Sequence, residues 1–142
     1  MKTTAAALLV ITSMTAQAAE PETLTLACEG TVTGTSDLTK GAKKERISRG
    51  IIVDFKNRTV QGFAINAYDS SSEYPVRITG KNDVTVTFSG SHDSESTVAR
   101  TDGTIDRVTG AVEVTEFSIA KSGKTIWSFS YSLKCRPAQR MF

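Results

Sequence analysis

The fold class is decided by one stretch near the end of the chain, Trp127-Ser128-Phe129-Ser130-Tyr131-Ser132-Leu133-Lys134-Cys135. Apolar side chains occupy every second position of this stretch, and serines with one lysine fill the positions between them. Successive side chains of a β-strand point to opposite faces of the sheet, so the alternation predicts a strand with one buried and one solvent-facing side.

The same period of two runs through the rest of the chain after residue 22, and no segment there carries a sustained apolar stripe of helical period. Turn-forming residues divide this part into eight predicted strands. They cover residues 23–33, 46–55, 59–65, 74–80, 83–90, 95–105, 111–119 and 125–135. The chain is therefore expected to be all-β.

One connection looks at first like a small active site, because Asp106, Arg107 and Thr109 stand together in the stretch GTIDRVTGAVEV. An Asp that opens a turn accepts hydrogen bonds from backbone N–H groups two residues on, and a Gly that closes the turn can take a positive φ. Residues 106–110 are therefore predicted to form a type I hairpin turn with a bulge at Gly110, with no chemical role.

Short hairpins between successive strands favour an antiparallel up-and-down arrangement. With eight strands, the first and the last run antiparallel and can pair, which closes a barrel of lipocalin size. A β-sandwich is the alternative, but its Greek-key crossings need longer connections than several of those present here.

One irregularity interrupts the alternation in the seventh predicted strand. Val112 and Val114 share one face, whereas Phe117 and Ile119 have the opposite phase. A β-bulge near residues 115–116 would return both pairs to the core, and we predict one there.

The N-terminal residues have the pattern of a secretory signal. Lys2 precedes a short apolar run at residues 5–11, and residues 16–18 (Ala-Gln-Ala) form a small-x-small cleavage pattern. We therefore expect a signal peptide at residues 1–18, a single β-barrel domain at residues 19–142, and a periplasmic or secreted protein. The apolar run is shorter than the roughly 20 residues that span a bilayer, so no membrane span is predicted.

Cys28 and Cys135 lie on the apolar faces of the first and last predicted strands. An even pair of cysteines in an exported protein indicates a disulfide, which would join the two strands at the seam of the barrel. Two cysteines and one histidine, His92, make a poor metal site, so neither a metal nor a cofactor is expected.

The charge balance excludes a strongly basic nucleic-acid-binding protein. The chain has 17 basic and 15 acidic residues, and loss of Lys2 with the signal leaves 16 against 15, a net charge of +1. We expect a monomer with no nucleic-acid partner.

No motif of a known catalytic class occurs in the sequence. It contains no G-x-S-x-G elbow, H-E-x-x-H pair, Walker loop or dinucleotide-binding fingerprint. His92 stands between Ser91 and Asp93, but adjacency in sequence is not the spatial arrangement that a catalytic triad needs. We predict no catalytic residues and no enzymatic activity.

Two functional hypotheses remain. In the first, the barrel is a non-enzymatic carrier of a small apolar or amphipathic ligand. Its interior would then be lined by Phe55, Phe88, Phe117, Trp127, Phe129 and Tyr131. In the second, an inhibitor or envelope accessory protein acts through its surface loops on a partner such as an envelope protein. Contact with an anionic surface would then involve Lys40, Lys43, Lys44, Arg46 and Arg49.

Three short stretches carry a resemblance: Cys28-Glu29-Gly30-Thr31, the hairpin Ile105-Asp106-Arg107-Val108-Thr109-Gly110, and the C-terminal Cys135-Arg136-Pro137-Ala138-Gln139-Arg140-Met141-Phe142. They resemble features of a group of uncharacterised small exported (periplasmic) bacterial proteins. The resemblance covers most of the mature chain and implies no activity and no site residues. In architecture alone the chain also resembles the lipocalins, although it has no G-x-W motif near its first strand.

Overall fold

A computed structural model describes residues 21–36, 41–63 and 74–138. Its eight strands follow the predicted segments closely. They are β1 (Thr23–Ser36), β2 (Lys43–Asp54), β3 (Thr59–Gln61), β4 (Val76–Lys81), β5 (Thr85–Asp93), β6 (Thr97–Asp106), β7 (Ala111–Ala120) and β8 (Thr125–Pro137). β3 ends before the predicted residue 65, because the next residue, Gly62, has a φ of 111° that no strand adopts. The signal peptide predicted at residues 1–18 lies outside the described residues.

Each strand pairs with its neighbours in the sequence, and β1 also pairs with β8, so the sheet is a closed antiparallel up-and-down barrel. The predicted barrel is confirmed, and the sandwich alternative is wrong. The pairing of β1 with β8 runs from Leu26 opposite Pro137 to Ser36 opposite Trp127. Because the sheet closes at this seam, neither β1 nor β8 has a free edge there, and their backbone N–H and C=O groups lie within the ladder.

Cys28 and Cys135 are direct partners in this seam, and their side chains form the predicted disulfide. Both are buried in the barrel. The bond links positions separated by 107 residues, so it constrains nearly the whole unfolded chain.

The hairpin that joins β6 to β7 has the predicted turn. Oδ1 of Asp106 accepts hydrogen bonds from the N–H groups of Val108 (2.9 Å) and Thr109 (2.8 Å). Gly110 donates its N–H to the carbonyl of Asp106 at 2.8 Å and has a φ of 73°. The hydrogen bonds that its carboxylate accepts hold the pKa of Asp106 below its usual range, and the bond from the N–H of Thr109 is the largest cause.

The barrel has two unlike ends. The lower end carries the hairpins at residues 55–58, 82–84 and 107–110, together with the beginning of β1 and the end of β8. The upper end is the opposite one, where β1 connects to β2, β5 to β6 and β7 to β8. Side chains from all eight strands fill the interior with one apolar core, which includes Leu26, Ile51, Val53, Val86, Val112 and Leu133.

The bulge predicted near residues 115–116 is wrong. The pairing of β6 with β7 is continuous from Thr97 to Ile105, and the pairing of β7 with β8 shifts only between Ser118 and Ile119. The alternation that starts at Val112 therefore continues, and it places Glu116 and Ser118 inside the barrel. The predicted bulge assumes that Phe117 and Ile119 belong to the core, whereas both side chains are only half-buried.

We predict that replacing both cysteines, Cys28→Ser with Cys135→Ser, lowers the free energy of unfolding by about 2–5 kcal/mol. The loss arises because the unfolded chain regains the freedom of a loop that the disulfide had closed. Urea denaturation followed by Trp127 fluorescence measures it. Reductant should shift the wild-type midpoint in the same direction and leave the variant unchanged, and an unshifted midpoint in the double variant would contradict the prediction.

A second prediction concerns Gly103, whose inner side faces the ring of Phe88. A Cβ there would lie 2.3 Å from Cζ of Phe88, which is only 2% exposed, so its ring has little room to move. Gly103→Ala should destabilise the fold by about 1–3 kcal/mol. Gly50→Ala is the matched control, because a Cβ at Gly50 has no atom within 4 Å. Equal effects of the two substitutions on the urea midpoint would refute the prediction.

Candidate functional site

A polar network crosses the upper part of the barrel interior. Glu116 is only 4% exposed, and its carboxylate accepts hydrogen bonds from the hydroxyls of Tyr131 (2.8 Å) and Thr101 (3.3 Å). The oxygens of Thr101 and Tyr74 lie 2.7 Å apart in a further hydrogen bond. Within the described residues, no buried side-chain nitrogen or oxygen lacks a hydrogen-bond partner.

The sheet register explains this network. Thr101 of β6 is the direct partner of Glu116 on β7, and both side chains point inward. Tyr131 reaches them from β8, where it lies opposite Val114. Three neighbouring strands therefore place two hydroxyls and one carboxylate at one level of the interior.

Arg49 belongs to this interior. Its Nη1 donates a hydrogen bond to the carbonyl of Gly62 at 2.6 Å, and its Cζ lies 4.8 Å from the ring centroid of Tyr131 and 5.2 Å from that of Phe63. A guanidinium over two aromatic faces is a favourable cation–π arrangement. The side chain is half-buried, so Arg49 is not part of the exposed basic surface to which the sequence assigned it.

Both described tyrosines have perturbed acidity. Burial raises the pKa of Tyr131, and the negative charge of Glu116 raises it further, whereas Arg49 acts in the opposite direction. Burial also raises the pKa of Tyr74. The phenols therefore remain protonated, and the hydroxyl of Tyr131 can donate its hydrogen to Glu116.

A small cavity opens above the network, between β1, β2 and β8. Its volume is about 270 Å³. It is lined by Val32, Gly34, Thr35, Ser36, Lys43, Glu45 and Phe129, a set that we call the mouth. Across the sheet, Gly34 lies between Lys43 and Phe129, and Val32 lies opposite Glu45. The ring of Phe129 rests on Gly34, where a Cβ would come within 2.3 Å of it.

Four of the six aromatic residues predicted to line a ligand cavity lie in the barrel interior. Phe88, Trp127 and Tyr131 are buried, and Phe129 is half-buried at the mouth. The rings of Trp127 and Phe129 are 5.4 Å apart between centroids.

The other two predicted aromatic residues lie elsewhere. Phe55 is at the lower end, with Nζ of Lys81 5.0 Å and Cζ of Arg107 5.9 Å from its ring centroid. Phe117 is half-buried, and the inward alternation of its neighbours Glu116 and Ser118 places it on the outer face of β7.

The predicted basic surface is also divided. Lys43, Lys44 and Arg46 are exposed near the upper end of β2, which begins three residues before the predicted strand. Lys40 lies outside the described residues. Lys43 lines the mouth, whereas Lys44 and Arg46 alternate with the inward positions of β2 and face outward.

A larger and shallower groove of about 690 Å³ crosses the outer face of β4 to β8. Threonine and serine side chains line much of it. Arg100 and Asp102 also line it and form an ion pair, with 2.5 Å between Nε of Arg100 and Oδ2 of Asp102. The hydrogen bond from Arg100 holds the pKa of Asp102 below its usual range. Such a face is the ordinary polar exterior of a half-buried sheet.

His92 is exposed and stacks on Tyr74, with 6.4 Å between the ring centroids.

Among the described residues, no group of three or more His, Cys, Asp or Glu side chains is arranged to hold a metal ion. No helix in the described part of the chain is long and apolar enough to cross a membrane.

The sequence reasoning missed Thr101 and Tyr74 and assigned no role to Glu116. Strict alternation from Val112 and Val114 would have identified Glu116. Tyr74 and Phe63 flank the connection between β3 and β4 and lie outside any strand of the structure, although the predicted strands 59–65 and 74–80 include them.

Comparison of the chain with models of known protein families, with curated proteins and with solved structures gives no match. The function must therefore be argued from the geometry of this molecule alone.

We predict that Glu116→Gln lowers the pKa of Tyr131, because it removes the charge that opposes ionisation of the phenol. A raised pKa in the folded state stabilises the fold fully below about pH 10, the unfolded value, and this contribution is lost as the pH rises through the folded value. In Glu116→Gln the stability should therefore fall less steeply above about pH 10. Tyrosinate absorbance and urea midpoints measured against pH test both effects.

Glu113→Gln is the matched control, since Glu113 lies on the outer face of β7 and bonds to Ser132 at 2.7 Å. It should leave the tyrosine titration unchanged. Identical titrations for the wild type and Glu116→Gln would contradict the prediction.

Proposed function

We propose that the protein is a non-enzymatic binding protein that holds a small amphipathic ligand in the mouth of its barrel. The observation that carries this proposal is the combination of an apolar floor and two opposite charges in one cavity of about 270 Å³. Val32 and Phe129 supply the floor, and Lys43 and Glu45 supply the charges.

The cavity suits a ligand with an apolar body and a polar head. The half-buried ring of Phe129 offers apolar surface that a ligand would remove from water. Lys43 and Glu45 are exposed at the rim, where they would meet a polar or charged group that remains in solvent. The volume lies near the lower limit of known ligand sites, so the ligand is the size of a single ring or a short chain.

The ligand is confined to the mouth because the interior below it is filled. The ring of Phe63 packs on that of Phe88, with centroids 5.8 Å apart, and against that of Tyr131 at 5.7 Å. The hydrogen bonds of Glu116 close the level above this cluster. A ligand that reached deeper would have to break these contacts.

The compartment is part of the proposal. We infer export by the signal at residues 1–18 to the periplasm or the cell exterior, as in the small exported bacterial proteins that the chain resembles. The disulfide between Cys28 and Cys135 supports this, because such bonds persist in oxidising compartments.

The single tryptophan provides the test. Trp127 lies next to Phe129, so energy transfer from Trp127 to a naphthylamine probe bound in the mouth should be efficient. We expect saturable binding of anilinonaphthalene sulfonate and of the uncharged N-phenylnaphthylamine. Phe129→Ala should weaken both by about tenfold or more, through loss of the apolar floor. Lys43→Ala should weaken only the sulfonate probe.

Phe117→Ala is the matched control, because it removes another half-buried phenylalanine from the outer face of the barrel. It should change the dissociation constants little. Absence of energy transfer, or equal losses in Phe117→Ala and Phe129→Ala, would overturn the proposal.

A second candidate is an interaction protein that contacts an acidic partner, such as an envelope protein, through its surface. The packed interior favours it, since a filled barrel leaves no room for a ligand below the mouth. The exposed cations Lys44 and Arg46 would then carry the contact. Partner binding lost in Lys44→Ala with Arg46→Ala but kept in Phe129→Ala would favour this function over the first.

A further inference from the structure

The lower end of the barrel exposes apolar side chains where polar ones would be usual. Val84 is 51% exposed and Val108 is 74% exposed, the two highest values among the large apolar side chains of the described residues. Each stands in a hairpin, where Asn, Asp, Ser and Gly are the favoured residues. Burial in the folded chain does not account for either valine.

The two valines belong to one surface, because their hairpins are joined. The N–H of Arg107 donates to the carbonyl of Val84 at 2.7 Å. Nη1 of the same arginine donates to the carbonyl of Asn82 at 2.9 Å. The hairpins at residues 82–84 and 107–110 therefore stand side by side at the lower end, and both expose a valine there.

The lower end also carries several basic side chains. Lys81 and Arg107 lie over the ring of Phe55, which fixes both cations at the lower end. The basic residues at this end are Lys56, Arg58, Lys81, Arg107, Lys134 and Arg136, and the acidic ones are Glu22, Asp54, Asp83 and Asp106.

Three of these four carboxylates form hydrogen bonds or an ion pair within the protein. Asp54 accepts the N–H of Asn57 at 2.8 Å, and Asp106 accepts the N–H groups of its own turn. Oε2 of Glu22 lies 3.4 Å from Nζ of Lys56. A hydrogen-bonded carboxylate keeps its charge, so the described residues of this end have six cations against four anions, a net charge of +2.

The small extent of the exposed apolar surface indicates which kind of partner this end can bind. A stable protein interface buries about 800 Å² on each side around an apolar centre, far more than two valines provide. A lipid interface needs only shallow apolar insertion, with cations at the level of the phosphates. We propose that the lower end, with Val84 and Val108 at its tip, docks on an anionic lipid bilayer.

The test is co-sedimentation of the full chain with phosphatidylcholine vesicles, with and without phosphatidylglycerol. We expect binding only to the vesicles that contain phosphatidylglycerol, and weaker binding at higher ionic strength. The double variant Val84→Ser with Val108→Ser should bind about tenfold more weakly, because it keeps the charges and removes the apolar insertion. Its thermal unfolding should match that of the wild type, since both side chains lie in solvent.

Lys44→Ala with Arg46→Ala is the matched control, because it removes two exposed cations near the upper end of the barrel. It should leave vesicle binding unchanged. The proposal fails if the chain does not bind phosphatidylglycerol vesicles, or if it binds both kinds of vesicle equally. It also fails if the upper-end variant loses binding while the valine variant keeps it. Since the mouth lies at the other end, these outcomes are independent of those for ligand binding.

Discussion

The pairing of β1 with β8 is the contact on which the rest of the structure depends. These strands stand at opposite ends of the described chain, and their ladder turns an open meander into a closed barrel. The disulfide between Cys28 and Cys135 fixes the register of that ladder covalently. A slip by one residue would move every inward side chain of a strand to the outer face, so this register determines which residues form the interior.

The interior that results is apolar in its lower part, whereas its upper part combines apolar side chains with a polar network. In the lower part, residues such as Ile51, Val53 and Val86 exclude water almost completely. In the upper part, the carboxylate of Glu116 is compensated by hydroxyls, and Arg49 lies over the ring of Tyr131. A buried charge is tolerated only when its hydrogen bonds are made, so the four strands that supply these groups must hold a single relative position.

Much of the fold could be predicted from the sequence, because the cues are local. Alternation in the stretch from Trp127 to Cys135 predicts a strand with one buried face, and the Asp106 and Gly110 positions predict a specific turn. These cues depend on backbone geometry within a few residues, which the surrounding structure seldom overrides.

The candidate site was harder to predict because it depends on contacts between distant strands. The phase of Val112 and Val114 leads directly to Glu116, yet a carboxylate in a core is plausible only if Thr101 and Tyr131 are known to face it. The position of Arg49 was hard to predict for the same reason, since its place inside the barrel depends on the carbonyl of Gly62 and the ring of Phe63. The alternation in the sequence predicts which positions face inward. The register of the closed barrel determines which side chains meet there.

Both termini of the described barrel lie at its lower end, which has a practical consequence. The N–H of Ala138 donates to the carbonyl of Thr25 at 2.8 Å, so the last described residue is bonded to the first strand. A short peptide could join the two termini, and the chain could be reopened at the β7–β8 connection of residues 121–124 to give a circular permutant. An affinity tag or a surface linkage at either terminus would leave the opposite opening of the barrel uncovered.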